Sequence, residues 1–251
     1  KDVEENSYKM NSINDAILLR NRIIDLMEQA ENETDPILRK ALLRIIIVGG
    51  GFAGVETAGE LNDFIVDISK YYPSIDECDV KVTLIESSTE ILNGFPQKLA
   101  AFAKEKLVER GIDVILDAGV TSFDGKEVLL KGSSKTNSVL LSDSSQQTGH
   151  AELVELNSLS SRTLIWTAGV TPIDLIKESL FNTHKGRIIV NEYLQVMQFP
   201  EVFAIGDCST FDPELMMKKF PPTAQIAEAH AKFAARNLKE LLSGGTMSVF
   251  D

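Results

Sequence analysis

The sequence has 251 residues, 43% of them hydrophobic and 25% charged, which is enough for one large domain or two smaller ones. The formal net charge of −12 disfavours nucleic acid and anionic lipid as partners, because both carry negative charge. The two cysteines, Cys78 and Cys208, are far apart, so we expect reduced thiols in an intracellular protein, with no disulfide framework and no metal site. No apolar run reaches the roughly 20 residues that a membrane-spanning helix needs.

The first third of the sequence predicts helices followed by the start of a β-α-β unit. Apolar residues recur at helical spacing over 12–32, and a short helix is expected over 37–43. The β-branched run at 45–48 is typical of a strand buried on both faces. A helix over 53–70 and a second strand over 80–86 follow.

The middle of the sequence predicts another helix, a third strand and a set of antiparallel strands. The helix is expected from Pro96 to Gly111. Its predicted inner face consists of Leu99, Phe102, Ala103 and Leu107. After a strand at 113–116, residues 120–156 alternate short apolar pieces with Gly, Ser and Gln. This pattern favours a small antiparallel meander with a flexible tip at 142–149.

The last third predicts short strands and one long helix. Strands are expected at 163–166, 187–190 and 202–205, and a helix at 223–242 between a Pro-Pro pair and a Ser-Gly-Gly stop. The whole order of elements predicts an α/β protein. We expect a Rossmann-like, doubly wound parallel sheet with an inserted antiparallel β-meander.

The stretch RIIIVGGGFAGVETAGEL places a G-x-G-x-x-G motif between a strand and a helix. Gly49 permits the tight turn, Gly51 lets a pyrophosphate approach the bare backbone, and Gly54 lets the helix pack closely on the sheet. The helix N-terminus offers free N–H groups and a positive dipole end to the phosphates. The predicted cofactor-binding residues of this turn are Gly49, Gly51, Phe52, Ala53 and Gly54.

The acidic residue at the end of the next strand, Glu86, indicates which dinucleotide binds. A carboxylate there accepts hydrogen bonds from the ribose hydroxyls and repels a 2′-phosphate. Ser87 and Ser88 follow where an NADP enzyme tends to carry arginine, so NAD(H) is favoured over NADP(H). Two alternatives stay open: a Rossmann-like domain that binds no nucleotide, and a Glu86 that is only a solvated strand end.

A second cofactor signal is EVFAIGDCS, in which an apolar strand ends in Gly206 and Asp207. Aspartate is poorly tolerated inside strands, so its carboxylate is expected at the carboxyl end of the strand, the edge at which α/β sheets bind ligands. A ribityl hydroxyl is one donor that it could accept from. Cys208 beside it is interpreted as a structural residue.

Three segments in this order, GGGFAGVETAGEL, LIWTAGV and EVFAIGDCS, resemble the flavoproteins with two dinucleotide-binding domains. Within that superfamily, DAILLRNRI, the extended segment before VTLIE, and PPTAQIAEAH are similar to type II NADH dehydrogenases, the single-subunit NADH:quinone oxidoreductases. The resemblance covers nearly the whole sequence. It implies hydride transfer from NADH to FAD and on to a quinone, with the cofactors supplying the redox chemistry.

The resemblance also assigns roles to individual residues. Glu56 lies near the nicotinamide, and Ala168 and Gly169 let the nicotinamide half pass close to the backbone. Gly206 and Asp207 hold the FAD ribityl chain. Ala224 and Gln225 face the isoalloxazine and the quinone. The implied catalytic residues are Glu56 and Gln225.

The same comparison implies that this sequence is the middle of a longer flavoenzyme. No separate G-x-G-x-x-G strand for the FAD adenosine precedes Arg44. The implied domains are a helical lead-in from the FAD domain (1–43), an NAD-binding domain (44–190), and a return strand and helix of a truncated FAD domain (191–251). The parent enzyme would lie in the cytoplasm, peripheral to the inner face of the membrane, and pairing of two copies stays open.

The sequence departs from the resemblance at one position and leaves other functions open. The family's second quinone-helix glutamine is Ala229 here, and the adjacent His230 is expected to be an ordinary helix-surface or packing residue rather than a proton donor. One alternative is a sulfide:quinone oxidoreductase, which needs a cysteine pair near the flavin. Another is a nucleotide-binding fragment without turnover, because this chain alone is expected to bind NADH but to hold FAD weakly.

Overall fold

The computed structural model describes residues 2–76, 79–132, 157–169, 174–211 and 223–250. Contacts divide the chain into two compact units, Lys1–Ala168 and Gly169–Asp251. The predicted strands over 133–156 and the tip at 142–149 lie outside the described residues.

The first unit combines helices with a parallel and an antiparallel sheet. Its helices are α1 (Asp2–Asn6), α2 (Ile13–Asn32), α3 (Pro36–Leu42), α4 (Phe52–Ser69) and α5 (Gln97–Glu109). Its strands are β1 (Tyr8–Lys9), β2 (Arg44–Val48), β3 (Lys81–Ile85), β4 (Asp113–Ile115), β5 (Ala118–Phe123), β6 (Glu127–Gly132), β7 (Ser158–Ser160) and β8 (Thr163–Trp166).

The parallel sheet has the order β1-β8-β2-β3-β4, with β2 at its centre. Alternate residues of β2 point to opposite faces. Ile45 and Ile47 join the core formed with α2 and α4, whereas Ile46 and Val48 join a core with the antiparallel sheet β5-β6-β7. The predicted Rossmann-like sheet with inserted antiparallel strands is thus confirmed. On its second face the antiparallel sheet stands where a doubly wound fold usually has helices.

The first 43 residues are part of this unit. Strand β1 pairs in parallel with β8, with Tyr8 opposite Ile165, and so forms the edge of the sheet. Helix α2 starts at the N-cap Ser12 and buries Ile23 and Met27, each 1% exposed, in the core on the α4 face. The compact unit runs from Lys1 to Ala168. The predicted domain bounds at residues 43 and 190 stay a prediction.

Helix α5 presents a different face to the core from the predicted one. Ala100 and Leu107 are buried, whereas Leu99 and Phe102 are each 56% exposed. The predicted inner face was therefore wrong for these two residues. Helix α5 packs against β4 and α4. The side of the helix that this packing buries is shifted by about one residue from its most apolar side.

The described part of the second unit holds a small mixed sheet together with helices. Its strands are β9 (Thr183–His184), β10 (Arg187–Val190), β11 (Gln195–Val196), β12 (Phe199–Phe203) and β13 (Ser209–Phe211), and its helices are α6 (Asp174–Lys177) and α7 (Ala224–Ser243). The sheet order is β12-β11-β10-β13, with β9 also paired to β10. Among its described strands, β10 and β13 run in parallel and the other pairs are antiparallel.

The strand predicted at 202–205 differs in the structure. Strand β12 ends at Phe203, is antiparallel to β11 and is half-buried to exposed; the buried residue is Ala204, just after it. The turn Gly206–Cys208 is a short 3-10 helix that leads into β13. The prediction of a buried strand running directly into Gly-Asp was wrong, because β12 is an edge strand of this sheet.

Candidate functional site

The glycine turn joins β2 to α4 and is built without room for side chains. Gly49 has a φ of +111°, and a Cβ there would lie 2.8 Å from the backbone nitrogen of Ala168. A Cβ on Gly54 would overlap the carbonyl oxygen of Gly49. Both glycines are therefore required by the close packing of the turn and of α4 against the ends of the parallel strands.

Gly51 is different, because nothing among the described residues requires a glycine there. Its φ of −74° suits any residue, and a Cβ would meet no atom of the described residues within 4 Å. It is the N-cap of α4 and has no side chain with which to cap the first N–H groups of the helix. The site thus presents bare backbone and the positive end of a helix dipole to the outside.

The residues that follow Gly51 lie at the surface. Phe52 is 37% exposed, and its ring meets that of Phe95 edge to face at 4.6 Å. Ala53 and Glu56, in the first turns of α4, are also exposed. A ligand seated on the turn would therefore find these three side chains within the same short stretch of helix.

Glu86 is bound to the glycine turn from the end of β3. Its Oε2 accepts the N–H of Gly50 at 2.6 Å, and its Oε1 accepts the N–H of Ser88 at 2.7 Å and the hydroxyl of Ser87 at 3.0 Å. Burial raises the pKa of Glu86, but these hydrogen bonds lower it by more than burial raises it. The pKa of Glu86 is therefore below the ordinary glutamate value. The carboxylate is thus held ionised beside the turn.

Gly50 was missed by sequence reasoning, although it connects three parts of the site. Its N–H binds Glu86, and its carbonyl oxygen accepts the N–H of Leu92 at 2.7 Å. A Cβ on Gly50 would lie 2.9 Å from Cγ2 of Ile91. Gly50 lies between the motif glycines Gly49 and Gly51. The run of three glycines is visible in the sequence, but the G-x-G-x-x-G motif allows any residue at the middle position.

Thr167 was also missed, and it fixes the turn from the end of β8. Its hydroxyl donates to the carbonyl oxygens of Val48 at 2.9 Å and Gly49 at 3.2 Å. Trp166, at the end of β8, is half-buried, and its Nε1 donates to the carbonyl of Ala168 at 2.7 Å. These bonds hold Ala168 against Gly49, as the close approach at Gly49 requires.

The residues predicted to contact a flavin lie in the second unit. Gly169, predicted to adjoin the nicotinamide, is the first residue of that unit and has a φ of +78°. Gly206 has a φ of +66°, and a Cβ there would lie 3.2 Å from Cβ of Ala227 on α7. Asp207, Ala224 and Gln225 are exposed. The structure therefore brings the Gly-Asp turn and the first turn of α7 together.

His230 is buried beneath this turn, at 4% exposure. Its Nδ1 accepts the N–H of Gly206 at 3.1 Å, and burial lowers the pKa of the imidazole. The packing role predicted for His230 is consistent with its position among the rings of Phe211 and Phe250. Its hydrogen bond to the Gly-Asp turn could not be read from the sequence.

The described residues include no group of His, Cys, Asp or Glu arranged to hold a metal ion. Cys208 is half-buried, with its thiol 3.2 Å from the carbonyl oxygen of Ile205, and Cys78 lies outside the described residues. Within the described part of the chain, no helix is both long enough and apolar enough to cross a membrane.

The predicted site residues form two groups. Gly49, Gly51, Phe52, Ala53, Gly54, Glu56, Glu86 and Ala168 belong to the first unit, whereas Gly169, Gly206, Asp207, Ala224 and Gln225 belong to the second. Within the first unit, the glycine turn is in contact with Glu86 and Ala168. The roles assigned to these residues stay predictions.

Comparison with known proteins supplies the family. An external alternative NADH-ubiquinone oxidoreductase, mitochondrial, of Yarrowia lipolytica is 33% identical over 242 residues, which are 94% of this chain and 38% of that protein. A type II NADH:quinone oxidoreductase of Staphylococcus saprophyticus is 30% identical over 209 residues, covering 83% of this chain and 47% of that protein. The chain thus spans less than half the length of these relatives.

The fold also matches a solved structure. NDH2 from Plasmodium falciparum, solved in complex with NADH, superposes with a TM-score of 0.75 at 21% sequence identity, over 95% of this chain and 59% of that one. At this identity the likeness establishes the fold. The family model for pyridine nucleotide-disulphide oxidoreductases matches residues 8–231. The chain therefore belongs to the pyridine nucleotide-disulphide oxidoreductase family.

Proposed function

We propose that the glycine turn of the first unit binds the diphosphate of NADH. The observation that carries this proposal is Gly51, whose backbone conformation and surroundings would accept any side chain. A bare residue at an uncapped helix N-terminus leaves room for phosphate oxygens to reach the N–H groups directly. Gly49 and Gly54 support the proposal by fixing the turn in the geometry from which those N–H groups point outwards.

Glu86 is proposed to select NADH over NADPH. Its carboxylate is already held beside the turn by Gly50, and the residue is partly exposed, so ribose hydroxyls can still donate to it. A 2′-phosphate would meet this negative charge, and the neighbouring Ser87 and Ser88 offer no compensating cation. The selectivity therefore follows from charge repulsion rather than from shape.

We infer that the whole protein is a flavin-dependent NADH:quinone oxidoreductase. Two relatives that carry this activity in their names match 94% and 83% of the chain, and the solved relative with a similar fold was in complex with NADH. When bound, FAD would take a hydride from NADH and pass the electrons on. The chain's own residues would bind and orient the two cofactors.

The second unit is proposed to hold the flavin. Gly206 has a left-handed backbone conformation, which residues with a side chain rarely adopt. Asp207 beside it is exposed, and its carboxylate can accept a hydrogen bond from a ribityl hydroxyl. Ala224 and Gln225, at the N-terminus of α7, would face the isoalloxazine and the quinone, where the helix dipole favours negative charge. In the first unit, Glu56 and Ala168 would adjoin the nicotinamide half.

The quinone and the place of the protein in the cell belong to the same proposal. The relatives' names include ubiquinone and quinone, which supports a quinone as acceptor. We propose that the whole protein is attached peripherally to a membrane, where its acceptor is dissolved. A sulfide:quinone oxidoreductase is not favoured, because among the described residues Cys208 has no neighbouring cysteine.

Calorimetric titration of this chain with NADH and with NADPH tests the first step. NADH is expected to bind more tightly, and equal affinities would contradict the role of Glu86. The chain alone is expected to hold FAD weakly, and a stoichiometric flavin band in its visible spectrum would contradict that expectation. The activity is tested by NADH oxidation with the full-length protein, comparing ubiquinone and menaquinone analogues as acceptors and sulfide as an alternative donor.

A further inference from the structure

The Gly-Asp turn of the second unit is held by a buried histidine. The N–H of Gly206 donates to Nδ1 of His230 at 3.1 Å. A nitrogen that accepts a hydrogen bond carries no proton, so a neutral imidazole in this position has its proton on Nε2. His230 is 4% exposed, and its burial lowers the pKa of the ring, which favours this neutral form.

The ring of His230 is itself fixed by aromatic contacts. It meets Phe250 edge to face at 4.7 Å and Phe211 edge to face at 5.9 Å. Phe250 is placed by a hydrogen bond from its N–H to the carbonyl of Glu192 at 2.8 Å. The acceptor nitrogen therefore sits on a ring whose orientation is set from strand β13 and from the segment after α7.

The backbone of Gly206 is held on both of its polar groups. Its N–H, which belongs to the peptide preceding Gly206, binds His230. Its carbonyl oxygen, which belongs to the peptide that links Gly206 to Asp207, accepts the hydroxyl of Ser209 at 3.0 Å. A Cβ on Gly206 would make a tight contact, 3.2 Å, with Cβ of Ala227 on α7. Because Asp207 is the next residue, the direction in which its carboxylate leaves the turn depends on how these two peptides are fixed.

We propose that His230 is a positioning residue for flavin binding: by accepting the N–H of Gly206, it fixes the turn that aims the Asp207 carboxylate at the ribityl chain. This proposal rests on the proposed function of the second unit. It assigns His230 a task in cofactor binding that acts through Gly206, without contact between the imidazole and the flavin.

Two substitutions separate this task from simple packing. His230→Phe keeps a ring between Phe211 and Phe250 but removes the acceptor. His230→Asn removes the ring but keeps an acceptor oxygen near the position of Nδ1. In the full-length protein, we expect His230→Phe to weaken FAD binding about tenfold or more, since the turn must return to its binding geometry with the Gly206 N–H unpaired.

His230→Asn is expected to keep FAD affinity within about threefold of the wild type while melting at a lower temperature than His230→Phe, because it loses the buried ring. The ranking of the two variants by FAD affinity is then opposite to their ranking by thermal stability, since His230→Asn binds FAD more tightly but melts at the lower temperature. If FAD affinity instead follows thermal stability through both variants, His230 acts only in packing and the proposal is wrong.

A spectroscopic measurement tests the contact without using activity. In protein labelled with ¹⁵N-histidine and ¹⁵N-glycine, we expect a scalar coupling across the hydrogen bond between the Gly206 nitrogen and Nδ1 of His230, with the proton of the ring on Nε2. Flavin binding without this coupling would overturn the inference and leave the proposed function standing. The coupling in a protein that binds no flavin would overturn the flavin role of the second unit, and with it the role of His230.

Discussion

The carboxylate of Glu86 lies 2.6 Å from the backbone nitrogen of Gly50, so the end of β3 is joined to the glycine turn that follows β2. The two strands are neighbours in the parallel sheet, and this bond crosses their carboxyl edge. A side chain proposed to recognise a ribose thus also shapes the turn proposed to hold the diphosphate.

The ionised form of Glu86 is expected to stabilise the fold in a pH-dependent way. Because its pKa is lower in the folded chain, its contribution is fully present above the ordinary glutamate value of 4.5 and is lost as pH falls through the lower, folded value. Glu86→Gln should reduce the free energy of unfolding by about 1 kcal/mol near neutral pH, a modest value since the group is partly solvated.

Denaturant unfolding at a series of pH values measures this effect. The difference between wild type and Glu86→Gln should shrink towards zero below about pH 4. Glu60→Gln, the same change at an exposed residue of α4, is the matched control for the loss of one charge. A Glu86→Gln difference that stays constant down to the acid limit would show that the ionised carboxylate is not what stabilises the turn.

Gly51, the N-cap of α4, and Gly54, in the first turn of α4, should respond to alanine in opposite ways. Gly51→Ala should fold with a loss of about 1 kcal/mol or less, since a Cβ there meets nothing and only the N-cap preference is affected. It should nevertheless weaken NADH binding about tenfold or more, because the methyl group stands where the diphosphate approaches. Titration calorimetry and thermal unfolding measure the two effects separately.

Gly54→Ala should instead destabilise the protein by about 3 kcal/mol or more, because its Cβ would overlap the carbonyl oxygen of Gly49. The pair thus provides its own control within one motif. Unchanged NADH affinity in a well-folded Gly51→Ala protein would remove the main support for the proposed site.

Thr167→Val tests how firmly β8 holds the turn. Valine has nearly the same shape but cannot donate to the carbonyls of Val48 and Gly49, so we expect a loss of about 1–2 kcal/mol in the free energy of unfolding. The control is Thr121→Val, at an exposed residue of β5 whose hydroxyl also binds a backbone carbonyl. Equal losses in both variants would argue against a special role for Thr167.

Asn237→Ala should loosen the segment that follows α7. The Asn237 side chain is fully buried, donates to the carbonyl of Ser248 at 2.9 Å and accepts the N–H of Ser248 at 3.0 Å. Losing both bonds should cost about 2 kcal/mol, whereas Arg236→Ala, at the exposed neighbouring residue, should change stability by less than about 0.5 kcal/mol. Hydrogen exchange at the Ser248 amide provides the local readout, and slow exchange in Asn237→Ala would contradict the assignment.

The sequence predicted those parts of the fold that depend on local pattern. The apolar run before Gly49, the helix between the Pro-Pro pair and the Ser-Gly-Gly stop, and the acidic residue at the end of β3 each carry their own signal along the chain. Strand β1 carried none, because it has only two residues and exists through its pairing with β8.

The contacts that complete the site are tertiary and could not be read in advance. Thr167 bonds to Val48 and Gly49 across more than 100 residues of sequence, and the bond between His230 and Gly206 depends on how α7 packs on the turn. The face of α5 that is buried was mispredicted for the same reason. Leu99 and Phe102 are the more apolar residues, but the position of β4 decides which stripe is covered.

The division of β2 between two cores has a consequence for ligand binding. Since its odd and even side chains are locked into separate layers, the strand cannot slide or tilt to adapt to an incoming molecule without disturbing both. The glycine turn at its end is therefore preorganised. The entropy cost of ordering this turn is met during folding, so a coenzyme that binds does not have to meet it again. Affinity at such a site depends on the few atoms that touch the ligand, which is why a single added methyl group should matter so much there.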